Sequence, residues 1–294
     1  MRIFFLLFST ILCLSGLQAQ QNRLQQQIRQ LIESKKAQVG VAVIINGQDT
    51  LTVNNDVQYP MMSVFKLHQA LAVINYIEKQ GLSLDTPVYI RKEQLHPNTY
   101  SPLRDKYPQG NISLPIRELL TYTLQLSDNN ACDILFEYTG GTEATDRYVR
   151  SLGINDFRIC ATEEDMHRDL NLCYQNWTSP LAAACLANKL IECQLFTLAN
   201  QDFIKETMLT CETGKDRIPK PFSGTSIRTG HKTGTGDRNE KGEMIGCNDV
   251  GFILLPDGTY YTLAVFVCNS SETDQTNAQI IADISETVFR FIQP

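Results

Sequence analysis

No Cys-x-x-Cys occurs in this chain, and its four histidines (His68, His96, His167 and His231) are scattered. A zinc site needs clustered thiolates and imidazoles, so a metallo-hydrolase is disfavoured and neither metal nor organic cofactor is expected. Basic residues are few and dispersed: 26 Lys and Arg stand against 32 Asp and Glu, for a net charge of −6. Phosphate neutralisation requires clustered Lys and Arg, and no basic stripe is present, so nucleic acid is excluded as a partner. Long apolar runs are also lacking. The one candidate, Ile3 to Leu14, is too short to span a bilayer, and no stable membrane anchor is expected. There is no internal repeat and no low-complexity tract. The 294 residues therefore suit one large domain or two interleaved ones, with length enough for a substantial core.

What is present begins with a leader. Arg2, the apolar run and a small residue at Ala19 read as a secretory signal over residues 1–19, which implies a secreted or periplasmic protein. Cys13 follows Leu12 rather than a small residue, which gives a lipoprotein reading little weight. Beyond the leader stand Cys132, Cys160, Cys173, Cys185, Cys193, Cys211, Cys247 and Cys268. Several lie in apolar runs, and a domain of this size needs no disulfide staples. Most are expected to be buried small hydrophobes.

Periodicity gives the organisation. Gln21 to Lys36 carries Leu24, Ile28, Leu31 and Ile32 at helical spacing, and Val39 to Ile45 with Thr50 to Val53 reads as a hairpin around Asn46-Gly47. Helical patterns dominate from about 85 to 209. Strand patterns return at 225–233, 249–255 and 260–268, and a last helix covers 274–291. This order predicts an α/β (α+β) fold: an antiparallel sheet built from both chain ends, flanked by the terminal helices, with an inserted all-helical domain. The expected boundaries are 20–58 with 210–294 for the sheet and 59–209 for the helices. A site is expected at the seam between them.

Three short strings fall where the chain crosses that seam: Ser63-Val64-Phe65-Lys66, Ser127-Asp128-Asn129 and Lys232-Thr233-Gly234. Ser63 and Lys66 are one helical turn apart, so they project together, and a lysine with a lowered pKa can activate a serine hydroxyl. Taken singly, each string has an ordinary explanation, such as a helix cap or a snorkelling lysine. As an ordered set they resemble the active site of serine β-lactamases and penicillin-binding proteins.

That resemblance implies roles. Ser63 is the nucleophile, Lys66 a candidate base, and Ser127 passes a proton to the leaving nitrogen. Asn129 holds the substrate's side-chain amide, Lys232 and Thr233 attract its carboxylate, and Gly234 permits close approach. The backbone N–H groups of Ser63 and Thr235 form the oxyanion hole. Tyr100 resembles an aromatic wall beside the entrance. Asn248 stands where many class A enzymes carry a guanidinium, and Arg217 in Thr213-Gly214-Lys215-Asp216-Arg217 resembles the alternative source of one. The nucleophile helix contains no cysteine, so the disulfide that some relatives form there is impossible.

A β-lactamase must also release its acyl group, and class A members use a glutamate in a Glu-x-x-x-Asn pattern. No such pattern exists here; the segment reads Thr162-Glu163-Glu164-Asp165-Met166-His167. Counting back from Thr178-Ser179-Pro180 assigns the base to Glu163, with His167 in the asparagine's place; Glu164 and Asp165 remain alternatives. The resemblance covers the chain from about Gln21 onward and implies a monomeric class A β-lactamase acting on penicillins and cephalosporins. Thr235-Gly236-Asp237 and the atypical loop suggest a pocket open to cephalosporins. The enzymatic rival is a D-alanyl-D-alanine carboxypeptidase or related penicillin-binding protein; a penicillin-sensing domain and a glutaminase-type amidohydrolase fit less well.

Overall fold

Alternate residues of the central strands are apolar on both sides, and the architecture follows from that. The computed structural model describes residues 20–293, so the leader expected over 1–19 lies outside the described residues. Helix α1 covers 20–33. It leads into strands β1 (Gln38–Ile45) and β2 (Asp49–Val53), then the short β3 (Tyr59–Pro60). A helical region follows, with α2 (Phe65–Lys79), β4 (Pro87–Ile90), α3 (Pro102–Lys106), β5 (Ile112–Pro115), α4 (Ile116–Gln125), α5 (Asn129–Thr139) and α6 (Gly141–Ser151). Next come β6 (Phe157–Arg158), α7 (Glu163–Arg168), β7 (Trp177–Thr178), α8 (Pro180–Glu192) and α9 (Leu198–Leu209). The chain closes with β8 (Arg228–Thr235), β9 (Met244–Leu254), β10 (Tyr260–Ser270) and α10 (Asp274–Ile292).

The main sheet has the order β2-β1-β10-β9-β8, antiparallel throughout, so strands from the two ends of the chain meet at the β1–β10 pair. Side chains alternate across each strand. Val39, Val41, Val43, Leu263, Val265 and Val267 pack toward Leu24 and Ile28 of α1 and Ile281, Ile284 and Val288 of α10. Ala42, Ile44, Val250, Phe252, Ala264 and Phe266 face the other way, into a core shared with α2 and α8. With both faces covered, the strands read as apolar runs rather than as clean alternation. Among the described residues, no helix is long and apolar enough to cross a membrane.

Helix α2 runs through the middle of the helical region, and eleven of its residues are buried. Its position explains why its pattern is apolar nearly all round. His68 on this helix is fully buried against the Phe157 ring, at 5.5 Å between centroids, and neither ring nitrogen has a side-chain or backbone partner within hydrogen-bonding geometry. Burial pushes its pKa down from 6.5 to about 4. Between those values the unfolded chain binds the proton and the folded one does not, so stability rises with pH across that window. Acidification from pH 6.5 past 4 is expected to remove on the order of 3 kcal/mol through this group. Urea unfolding of the wild type and His68→Leu at pH 4, 5 and 6.5 checks this: the variant should lose that part of the slope, and an unchanged slope contradicts it.

Among the described residues all eight cysteines are free, with Cys132, Cys173, Cys211, Cys247 and Cys268 buried, Cys185 half-buried, and Cys160 and Cys193 exposed.

Candidate active site

Ser63 sits in a single 3-10 turn, Met62–Val64, that feeds α2. The residue before it, Met62, takes φ +48°, a left-handed backbone that costs a side-chain-bearing residue about 1–2 kcal/mol. Two features hold that turn. Asn248 of β9, fully buried, donates its amide to the carbonyls of Pro60 (2.8 Å) and Met61 (3.1 Å). Gly234 of β8 lies so close that a Cβ there would stand 2.5 Å from the Met61 carbonyl oxygen. The glycine of the third string thus brings β8 against the nucleophile turn. Asn248, expected only as a missing guanidinium, instead pins that turn.

Lys66, fully buried one turn along, gathers the site around its ammonium. Its Nζ lies 3.1 Å from Ser63 Oγ, 2.8 Å from Glu163 Oε1, 2.8 Å from the Ser127 carbonyl and 2.6 Å from Asn129 Oδ1. Four acceptors compete for three N–H bonds, so a proton can be redistributed here without moving heavy atoms. Ser63 Oγ also donates to Glu163 Oε1 at 3.2 Å.

Of the three neighbouring acids, only Glu163 reaches this cluster. Glu164 pairs with His96 (3.2 Å) and with Arg168, while Asp165 turns back to accept from the Thr162 N–H and hydroxyl. Thr162 caps α7 in return, and α7 presents Glu163 as its first residue. The backbone of that first turn is latched from α5: Asp133 accepts the Glu163 N–H at 2.9 Å and the Glu164 N–H at 2.8 Å. Burial, and then the nearby Glu163 charge, push the Asp133 carboxyl up to about 7. The far end of the segment is tied by buried Asn176, which accepts from the N–H groups of Cys160 and Ala161 and donates to the Ala161 carbonyl. Neither Asp133 nor Asn176 belongs to any of the three strings. The one sequence signal for Asp133 is a carboxylate inside the apolar run Ala131 to Leu135.

Ser127 has φ +61° and precedes α5, whose cap is Asp128 rather than Ser127. Asp128 also binds Ser101 Oγ and the Leu103 N–H, fixing the loop that carries Tyr100, and Asn129 donates to Thr99 Oγ1 at 2.7 Å. Tyr100 itself is 58 % exposed at the mouth of the cleft. From β8, fully buried Lys232 donates to Ser127 Oγ at 2.9 Å. Burial and then the Lys66 charge bring its pKa down to about 7. Arg217 reaches the Gly234 and Asn248 carbonyls at 3.2 and 2.9 Å and Thr235 Oγ1 at 2.7 Å, so its guanidinium lies along the edge of the third string.

These groups share one cleft. A space of about 260 Å³ is lined by Ser63, Ser127, Asn129, Glu163, Thr233 and Thr235. A wider lobe of about 480 Å³ opens between α7 and the end of β8, bounded by Met166, His167, Leu170, Thr235, Gly236 and Asp237. Among the described residues, no group of three His, Cys, Asp or Glu is placed to hold a metal ion. A serine and a glutamate meeting a fully buried lysine at the edge of this cleft are suited to acyl transfer through a serine ester.

Known proteins agree with that chemistry. The model of the β-lactamase enzyme family matches residues 23–292. A β-lactamase of Bacteroides uniformis is 43 % identical over 92 % of this chain and 91 % of its own length. The extended-spectrum β-lactamase PER-1 of Pseudomonas aeruginosa is 36 % identical over 93 % of this chain and 88 % of its own. The crystal structure of a class A β-lactamase from Bacteroides cellulosilyticus superposes with a TM-score of 0.89 at 43 % identity, covering 93 % of this chain and 98 % of that one. With the fold, the ordered strings and these relatives in agreement, the chain belongs to the β-lactamase enzyme family and, within it, to class A.

Proposed function

We propose that this enzyme hydrolyses penicillins and cephalosporins through an ester on Ser63, with Glu163 as the base that releases the acyl group. The observation that carries the reading is the meeting of Ser63, Lys66 and Glu163 within 3.2 Å of one another. Ser63 Oγ attacks the lactam carbonyl, its proton passes to Glu163 directly or by way of Lys66, and the oxyanion is held by the N–H groups of Ser63 and Thr235. The C–N bond breaks as Ser127, backed by Lys232, protonates the nitrogen; Ser127 regains a proton through Lys66 from Glu163, which is a carboxylate again before deacylation. Glu163 then takes a proton from water, the hydroxide attacks the ester, and Ser63 leaves with its proton restored.

Asn129 binds the substrate amide, while Lys232, Thr233 and Arg217 form the wall that receives the carboxylate. Tyr100 covers the entrance. His167 replaces the usual asparagine beside Glu163, and an imidazole can take over part of its hydrogen bonding to water. The width of the lobe between His167 and Asp237 supports acceptance of cephalosporins with bulky side chains. Export to the periplasm, or beyond the cell, as a monomer completes the proposal.

Steady-state kinetics with benzylpenicillin and a panel of cephalosporins test it. Turnover of both classes is expected. Good turnover of the penicillin with poor turnover of every cephalosporin would refute the cephalosporin assignment, and a single stoichiometric burst with both would favour a penicillin-binding protein.

A further inference from the structure

Beneath the carboxylate wall lies a row of buried ionisable groups that the hydrolytic scheme leaves idle. His231 and Thr233 are two apart on β8 and so lie on one side of the strand, and Asp249 of β9 pairs opposite Thr233. His231 Nδ1 stands 2.9 and 3.0 Å from the two Asp249 oxygens, and Asp249 also accepts the Ile218 N–H at 3.1 Å. The seat of the ring depends on Gly251, where a Cβ would come within 2.7 Å of His231 Cβ. Cys211, buried in the link between α9 and β8, is the other group whose charge couples to this imidazole.

Cys211 is joined to the wall by hydroxyls. Its Sγ lies 3.4 Å from Thr213 Oγ1, which lies 2.6 Å from Thr233 Oγ1. An O···O contact that short contains one hydrogen, and each threonine has one to give. If Thr213 supplies it, the Thr233 hydrogen is free to point into the cleft. If Thr213 gives its hydrogen to sulfur, Thr233 must fill the contact and presents lone pairs to the cleft instead.

We propose that Cys211 is a positioning residue for substrate binding: as a thiol it leaves Thr233 donating to the substrate carboxylate, and as a thiolate it reverses the hydroxyl chain and weakens that contact. This rests on the reading of Lys232 and Thr233 as the carboxylate wall. The groups facing Cys211 are His231 and Lys232 on β8, with Asp249 behind the imidazole on β9. At the end of α4 it meets the Leu124 carbonyl, and on α9 Glu206 pairs with Arg228 at the surface. Burial pulls the His231 pKa down, but the Asp249 charge and hydrogen bond outweigh it and hold the imidazolium up to about 10. Burial raises the Cys211 thiol, and the His231 hydrogen bond and charge, followed by Lys232, overcome this and bring it down to about 7. The thiolate therefore forms as pH rises through neutrality, and affinity falls in that direction.

The test is the pH profile of KM and kcat for a chromogenic cephalosporin, in the wild type, Cys211→Ser and Thr213→Val. Losing a hydrogen bond to a charged group predicts that wild-type KM rises about tenfold between pH 6 and 8.5. Lys232 loses charge over the same range and adds a rise common to every protein tested, so the expectation is a difference: KM in each variant should rise at least about threefold less than in the wild type, and in the double variant no differently, because each breaks the same chain. A folded variant whose KM rises as much as that of the wild type assigns the whole titration to Lys232 and overturns the proposal. A flat wild-type KM overturns it equally. Should Cys211→Ser not fold, Thr213→Val alone decides. An unchanged KM in Lys232→Ala at pH 6 would instead refute the wall reading, a separate failure.

Discussion

Glu163→Gln is expected to lower kcat by roughly 10²–10⁴-fold, the range that a positioned general base contributes. Acylation should survive better than turnover, because Lys66 still touches Ser63 Oγ at 3.1 Å. The variant should therefore give one equivalent of chromophore in a burst and then stall, with the substrate's mass added at Ser63. Glutamine keeps the shape and one acceptor but cannot take a proton from water. It also leaves the buried Lys66 without its carboxylate partner, so a stability loss of some kcal/mol is expected beside the kinetic effect. Thermal unfolding separates the two. If Glu163→Gln turns over at the wild-type rate, the hydrolytic base lies elsewhere.

Asp133→Ala is expected to have the next largest effect, although Asp133 touches no reacting atom. It accepts both N–H groups that open α7, and each donor left without a partner costs about 1–3 kcal/mol. Part of that loss is offset, because the Asp133 carboxylate is itself held in a desolvated place beside Glu163. The net expectation is a destabilisation of roughly 2–4 kcal/mol, with acyl-enzyme decay slowed about 10–100-fold as Glu163 loses its fixed position. Acylation, which Lys66 and Ser127 also serve, should change less. Stopped-flow measurement of the two steps distinguishes positioning from bulk stability: a lowered unfolding temperature with an unchanged decay rate would mean that the latch supports the fold alone.

Legibility in the sequence divides along physical lines. Ser63 with Lys66, and Ser127 with Asn129, are readable because local backbone geometry sets their spacing. Lys232 to Gly234 is readable as the end of a strand with an unusual glycine. Glu163 could be found only by counting from Thr178, since three acids in a row gave no chemical reason to choose. In space the three differ: α7 directs Glu163 toward Lys66 and the other two elsewhere. The opening stretch of β9, residues 244–248, lay outside the strand pattern because Gly246, Cys247 and Asn248 carry little strand preference; a buried sheet position, not propensity, makes them extended.

Asp133 showed only as an acid inside an apolar run, and Asn176 and Asn248 gave no sign of the roles they take, for a related reason. Each works by offering a side chain to the backbone of a segment far away in sequence, and such pairings depend on tertiary approach. The cysteine, histidine and aspartate beneath the wall are the same case. Apart in sequence, they are an apolar cysteine, a scattered histidine and a strand acid; the β8–β9 register and the α9–β8 link bring them together.

The central claim is that Ser63 forms an ester which the enzyme itself then hydrolyses. Time-resolved mass spectrometry of the wild-type protein mixed with excess benzylpenicillin tests this most directly. The account predicts a transient adduct on Ser63 that disappears as substrate is consumed, returning unmodified protein and ring-opened product. An adduct that persists after the excess is removed, or one that never forms on Ser63 while product accumulates, would contradict it.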